Sequence, residues 1–231
     1  MNPGDIISYL DLCRLEGDNL QRWMNFRERN RLSIYLMTIW TGSPYADRVE
    51  ENGHVVIYEA PRSLDLAPAP GSRKLKQPIA DLLGRKTHKG LFYDAAIKAT
   101  IEKTEPELLK IYEKIKDKVW VYNGLFKLSN AWLERRGSTQ IFSYDFELIE
   151  TTVAKVDYGS TRHLDTSRVI PSNLKQTVWK RDNGQCVKCG ARDKLHYDHD
   201  LPLPKGGESA MAATVQLLCA RHALNKRDQA Q

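Results

Sequence analysis

Four residues in the last quarter of the chain dictate what that segment can become. Cys186 and Cys189 form a Cys-x2-Cys pair, and Cys219 and His222 form a Cys-x2-His pair. Paired knuckles of thiolate and imidazole suit a closed tetrahedral zinc site, and binding the metal supplies folding free energy that a short segment cannot gather from a core of its own. Between the pairs lies Leu195-His196-Tyr197-Asp198-His199. Asp198-His199 belongs to a different chemistry. Its carboxylate suits a hard divalent cation such as Mg2+ or Mn2+, and its imidazole can take a proton from water.

Cys13 is the one cysteine outside these pairs, on an apolar segment, so the four cysteines argue for zinc in a reducing compartment over a disulfide framework. With 231 residues, 41% of them hydrophobic, the chain can build one large domain and one small one. No apolar run approaches the length of a membrane span, and Met1-Asn-Pro-Gly-Asp5 has neither the basic region nor the apolar core of an export signal. A cytoplasmic location without a membrane partner is therefore expected. The net charge of +6 is unevenly placed: residues 161–231 carry 12 Lys/Arg against 7 Asp/Glu. A carboxy-terminal part this basic is suited to phosphates, which points to a nucleic-acid partner.

Apolar spacing predicts two short helices within residues 5–30, broken at Gly17. Strands are expected at Ser33–Ile39 and His54–Tyr58, with a turn at Gly42-Ser43-Pro44 between them. A long Pro-rich surface loop follows at 61–78. Helices are expected near 88–99 and 105–116, then a β-meander through Val119–Tyr122, Gly124–Leu128, Ser129–Leu133 and Ile141–Ile149. Residues 161–171 lack periodicity and form the expected linker between a domain at 1–160 and another at 172–231.

The run Trp179-Lys-Arg-Asp-Asn-Gly-Gln-Cys186-Val-Lys-Cys189-Gly, then Asp198-His199-x-x-Pro202, Gly206-Gly207, Val215-Gln-Leu-Leu-Cys219 and Lys226, resembles the HNH nuclease family over about residues 171–231. The resemblance implies a small zinc-stapled ββα-metal domain. It assigns Cys186, Cys189, Cys219 and His222 to structural Zn2+, Asp198 to the catalytic Mg2+ or Mn2+, and His199 to the general base. Two positions depart from the family. Its middle Asn aligns with Thr214, whose hydroxyl can partly replace it, and its closing Asn or His aligns with Ala223, which has no donor atom. Loss of one of two protein ligands should severely weaken the cation site while sparing the zinc-held scaffold. Ala223 is thus an inactivating substitution, engineered or natural.

Upstream, Tyr45-Ala-Asp47, Tyr58-Glu59, Gly90-Leu-Phe92, Leu109–Lys116 and Trp120-Val-Tyr-Asn-Gly124-Leu-Phe resemble the SRA-like (YDG) domains of modification-dependent endonucleases. That resemblance implies a curved PUA-type β-barrel with flanking helices, and hence an α+β chain overall. It also implies that a modified cytosine is flipped from duplex DNA and stacked between Tyr45 and Tyr58, with Asp47 at its exocyclic amine. The chemistry is reasonable in its own right, because stacking and edge hydrogen bonds recover the few kcal/mol spent on extrusion.

The expected function is a modification-dependent endonuclease acting on double-stranded DNA with methylated or hydroxymethylated cytosine, impaired by Ala223. One active centre per chain implies a homodimer or two sequential nicks for cutting both strands. Three alternatives stay open: a reader that does not cut, an EVE-type reader fused to the nuclease module, and a zinc-stapled DNA-binding regulator.

Overall fold

The computed structural model describes residues 1–17, 19–20, 23–27, 32–39, 47–50, 54–58, 80, 83–136, 139–149, 169–199 and 214–229, without the side chains of 135, 136, 139, 140, 199 and 226–229. Tyr45, the Pro-rich stretch 61–78 and residues 161–168 of the expected linker lie outside them. The chain is mixed α+β, with one large sheet and a small carboxy-terminal unit. Among the described residues no helix is long and apolar enough to cross a membrane.

Strand β1 (Ile6–Ser8) leads into helix α1 (Tyr9–Glu16). Ser8 starts the helix by accepting from the Asp11 amide at 3.1 Å, and Gly17 ends it at φ 68°, the left-handed geometry that suits glycine. The second expected amino-terminal helix is instead the short strand β2 (Met24–Asn25), paired with β3 (Ser33–Met37). Strands β4 (Arg48–Glu50) and β5 (Val55–Tyr58) form an antiparallel pair. Helix α2 (His88–Ile101) is capped by Thr87, whose hydroxyl accepts from the Gly90 amide.

The expected helix at 105–116 is strand β6 (Leu108–Lys116), and the first three segments of the meander are one strand, β7 (Val119–Arg136), followed by β8 (Thr139–Leu148). The order is β2-β3-β6-β7-β8-β5-β4, with β1 also on β7, and β3 runs parallel to β6. Among the described residues this is an open path from β2 to β4, where the resemblance implies a barrel.

β3 is buried on both faces. Tyr35 and Met37 enter a main core with Tyr58, Phe92, Phe126, Phe142, Tyr144 and Phe146, while Ile34 and Leu36 enter a second core with Leu12, Tyr112, Trp120 and Tyr122. Bulges redirect the long strands between these cores. Ile111 pairs with Gly124 but Tyr112 pairs with Tyr122, so Asn123 is the extra residue. That bulge transfers the even-numbered side chains from the second core, at Trp120 and Tyr122, to the main core, at Phe126 and Leu128.

The carboxy-terminal unit comprises α3 (Ser172–Arg181), the antiparallel pair β9 (Leu195–His199) and β10 (Val215–Cys219), and α4 (Ala220–Gln229). Its core contains Leu174, Val178, Leu195, Tyr197, Leu217 and Ala223, and it incorporates Val121 from the large sheet. Two residues of the expected linker are not a surface connection: Val169 is buried in the main core and Ile170 in the carboxy-terminal one.

Candidate functional site

Four elements converge at one end of the large sheet. Tyr58 closes β5, and its antiparallel neighbours are β4, which Asp47 precedes, and β8, where Tyr144 lies directly opposite. The Tyr144 hydroxyl donates to the carbonyl of Lys89 at 2.7 Å, fixing the first turn of α2. Lys89 then reaches the Tyr58 hydroxyl at 2.5 Å. Its Nζ is 5.0 Å from the Tyr58 ring centroid, which together with the short hydroxyl contact puts the ammonium beyond the phenol oxygen and not over the ring face. Asp47 is buried, and one carboxylate oxygen accepts from the Thr38 amide at 3.4 Å. Burial pushes the Lys89 ammonium down to about 8, against the opposing pull of the Asp47 carboxylate.

The expected stacking role of Tyr58 meets a different environment. Its ring is 1% exposed and packs at 5.7 Å against both Tyr35 and Tyr144. Among the described residues neither face of that ring is open to a base, and the polar hydroxyl end is what meets Lys89. The β4–β5 register sets Asp47 next to Tyr58, whereas Tyr45 lies outside the described residues. Lys89 was missed because nothing in local sequence links the start of a helix to a tyrosine 31 positions earlier. The Thr87 cap followed by Gly90 was the available signal, since it places Lys89 in the first turn.

The Cys186, Cys189, Cys219 and His222 ligand atoms lie within 4.8 Å of one another. Cys186 Sγ and Cys219 Sγ are each 3.4 Å from His222 Nδ1, and Cys189 Sγ is 3.8 Å from Cys219 Sγ. A tetrahedral zinc with Zn–S of about 2.3 Å and Zn–N of about 2.0–2.1 Å has edges of roughly 3.5–3.8 Å. The four residues therefore fit such an ion, with Nδ1 as the histidine donor, and the group could hold a metal such as zinc. Burial opposes a charge on Cys186, but backbone groups of Cys219, Lys188 and Cys189, with His222, outweigh it and pull the thiol down to about 6. A thiolate at this position is what a metal requires.

Asp182 ties this centre to α3. Its Oδ2 accepts from the Leu217 amide at 2.9 Å and from Arg181 at the same distance, while Arg181 also donates to the Val215 carbonyl. Along β9, Leu195 and Tyr197 enter the core, and Asp198 is on the opposite, half-buried face, paired with Gln216. Thr214 is buried just before β10. Ala223 is 8% exposed and packs in the carboxy-terminal core. The His199 backbone pairs with Val215, and its side chain is outside the described residues. Among the described residues Cys186, Cys189, Cys219 and His222 form the only group of three or more His, Cys, Asp or Glu arranged to hold a metal.

The two units are joined by a buried polar latch. Lys175 of α3 is 1% exposed and donates to Glu113 at 2.5 Å and to the Asn123 side-chain carbonyl at 2.7 Å. Asn123 in turn donates to the same Glu113 oxygen at 3.1 Å. A second seam runs through the amino terminus: the Gly4 amide donates to Tyr122, the Tyr197 amide donates to Gly4, and His196 Nδ1 meets Asp5 at 2.8 Å. A β-carbon on Gly4, at φ 97°, would meet the Tyr197 carbonyl at 3.0 Å and His196 Cε1 at 3.1 Å.

No family model and no curated protein matches the chain. Solved structures do. The SRA domain of SUVH5 with hemi-methylated CG DNA is 18% identical, covering 65% of this chain and 90% of that one at a TM-score of 0.44. The same domain bound to fully hydroxymethylated CG DNA is 17% identical with the same coverage and a TM-score of 0.42. KRYPTONITE in complex with mCHH DNA, an H3(1–15) peptide and SAH is 16% identical, over 65% of this chain and 32% of that one, at 0.41. These scores fall below the level that establishes a shared fold, so the functional argument rests on the chain's own residues.

Proposed function

We propose that this protein reads duplex DNA containing methylated or hydroxymethylated cytosine, using the Asp47–Tyr58–Lys89 cluster. The observation that carries the proposal is a buried carboxylate that the strand register sets next to Tyr58, whose hydroxyl meets the half-buried Lys89 ammonium at the end of an aromatic core. An extruded cytosine presents an amino donor and ring acceptors, which this pair complements, and a neighbouring apolar wall accommodates a 5-substituent. Tyr45 would supply the stacking face, with Tyr58 contributing through its hydroxyl end, which Lys89 meets.

The carboxy-terminal unit supports a second reading, an HNH-type nuclease module, because β9, β10 and α4 follow one another as a ββα unit clamped at its zinc ligands. Asp198 would hold the divalent cation, which when bound would stabilise charge on the leaving oxygen of a phosphodiester. His199 would take the proton from the attacking water. Ala223 offers no ligand, so this chain is proposed to read modified DNA and to cut it poorly or not at all. Gel assays of this chain and of Ala223→Asn, on modified and unmodified plasmids with and without Mg2+ or Mn2+, test both parts. Retention of modified DNA by this chain, with nicking gained only by Ala223→Asn, is expected. Equal nicking by both forms would show that residue 223 does not limit catalysis, and equal retention of both plasmids would remove the reader.

A further inference from the structure

Helix α3 is bonded to both units. At its carboxy end Arg181 donates to the Val215 carbonyl and Asp182 accepts from the Leu217 amide, which ties the helix to β10. Nearer its start the Tyr197 hydroxyl of β9 donates to the Lys175 carbonyl at 2.9 Å, and the Lys175 side chain enters the latch with Glu113 and Asn123. The next residue makes a separate contact. Gln176 Nε2 donates to the carbonyl of Ile39 at 2.6 Å, joining positions 137 apart.

The place of that bond on the large sheet gives it a use. The β3–β6 ladder ends at the pair Met37 and Glu113. Lys175 holds Glu113, at the last rung, and Gln176 holds Ile39, two residues past it. Between them in the chain lies Thr38, whose amide donates to Asp47 at 3.4 Å. The Ile39 side chain packs against the same main core that contains Tyr58. Beyond the last rung, where the β6 register no longer guides β3, α3 thus supplies a backbone contact of its own, and it does so beside the residue that carries Asp47.

We infer that Gln176 is a positioning residue of the base reader: from the carboxy-terminal unit it fixes the backbone after β3 that holds Asp47, so that selectivity for modified duplex depends on both units. The inference rests on the base-reading function proposed above. Unmodified duplex is retained through its phosphates, whatever the geometry of the reading site, whereas an extruded modified base also depends on that geometry. Loss of the Ile39 contact should therefore weaken binding of the methylated duplex and leave the unmodified one unchanged.

The test is competition binding of the full chain to two duplexes of one sequence, with 5-methylcytosine or cytosine at one central position. Gln176→Met keeps the length of the side chain and loses the donor, and should lower the preference for 5-methylcytosine roughly two- to ten-fold, the scale of one hydrogen bond. Gln176→Asn keeps an amide one carbon short of Ile39, and it carries the test if the methionine variant does not fold. Thr177→Val perturbs the same helix at an exposed hydroxyl that bonds only back to the Asn173 carbonyl, and should keep the wild-type preference. A glutamine that merely packed the units together would alter thermal stability and leave the preference alone. An unchanged preference in the folded Gln176 variants, or an equal fall in Thr177→Val, overturns the inference. If wild type binds 5-methylcytosine no better than cytosine, the base-reading function fails and this inference with it. If that preference holds and is insensitive to Gln176, the positioning role alone is refuted.

Discussion

Replacing Lys175 by methionine tests the latch between the two units. Lys175 is 1% exposed and Glu113 0%, with 2.5 Å between them. Burial pushes the lysine ammonium down while Glu113 holds its proton in place. Methionine fills nearly the same volume, so the main change is to leave the Glu113 carboxylate buried with Asn123 as its remaining partner. Breaking such a pair from one side costs about 3–5 kcal/mol, whereas replacing both members by apolar residues is often neutral or stabilising. For a chain of this length the single substitution should lower Tm by roughly 6–20 °C. Lys175→Met with Glu113→Leu and Asn123→Leu, which leaves no member of the latch as an orphaned polar group, should recover most of that loss. Urea unfolding of the zinc-loaded proteins gives both values. A single variant within about 1 kcal/mol of wild type, or a triple variant as unstable as the single one, would refute the assignment of this energy to an unpaired buried charge.

The other predictions concern separate parts of the molecule. Gly4→Ala should destabilise the chain by about 1–3 kcal/mol in urea unfolding, because alanine at that positive φ is strained and its methyl group crowds the Tyr197 carbonyl. One equivalent of zinc should be released on acidification as Cys186, at about 6 without metal, and its partners take up protons, and Cys219→Ser should abolish stoichiometric binding; both are read with a chromogenic chelator. Lys89 binds fewer protons folded than unfolded between about 8 and its ordinary 10.5. Its contribution to stability should therefore rise with pH across that window, and Lys89→Met should remove the increment in pH-resolved melts.

What sequence could convey depended on how local each cause was. Gly17 marks a helix end through local geometry, and α1 stops there, while apolar spacing put a helix near 88–99, where α2 lies. The convergence of Cys186, Cys189, Cys219 and His222 on a group able to hold a metal was legible because two-residue spacers force each pair onto one knuckle. β6 misled because Leu109, Ile111, Tyr112 and Ile115 mix the two periods. The bulge between Ile111 and Tyr112 and burial of the strand in three separate cores explain that mixture. Glu113, Asn123 and Lys175 were illegible, as each reads as an ordinary solvent-facing polar residue until a fold brings residues 52 and 62 positions apart together. Lys89 was hidden for the same reason.

The central claim is that Asp47 and its neighbours recognise a modified base. The most direct measurement is the affinity of wild type and Asp47→Ala for two duplexes that differ only by 5-methylcytosine against cytosine. The account predicts tighter binding of the methylated duplex by wild type, at least about ten-fold weaker preference in Asp47→Ala, and similar thermal stability for the two proteins. Equal affinity of wild type for both duplexes, or a preference that survives in a folded Asp47→Ala protein, would contradict it.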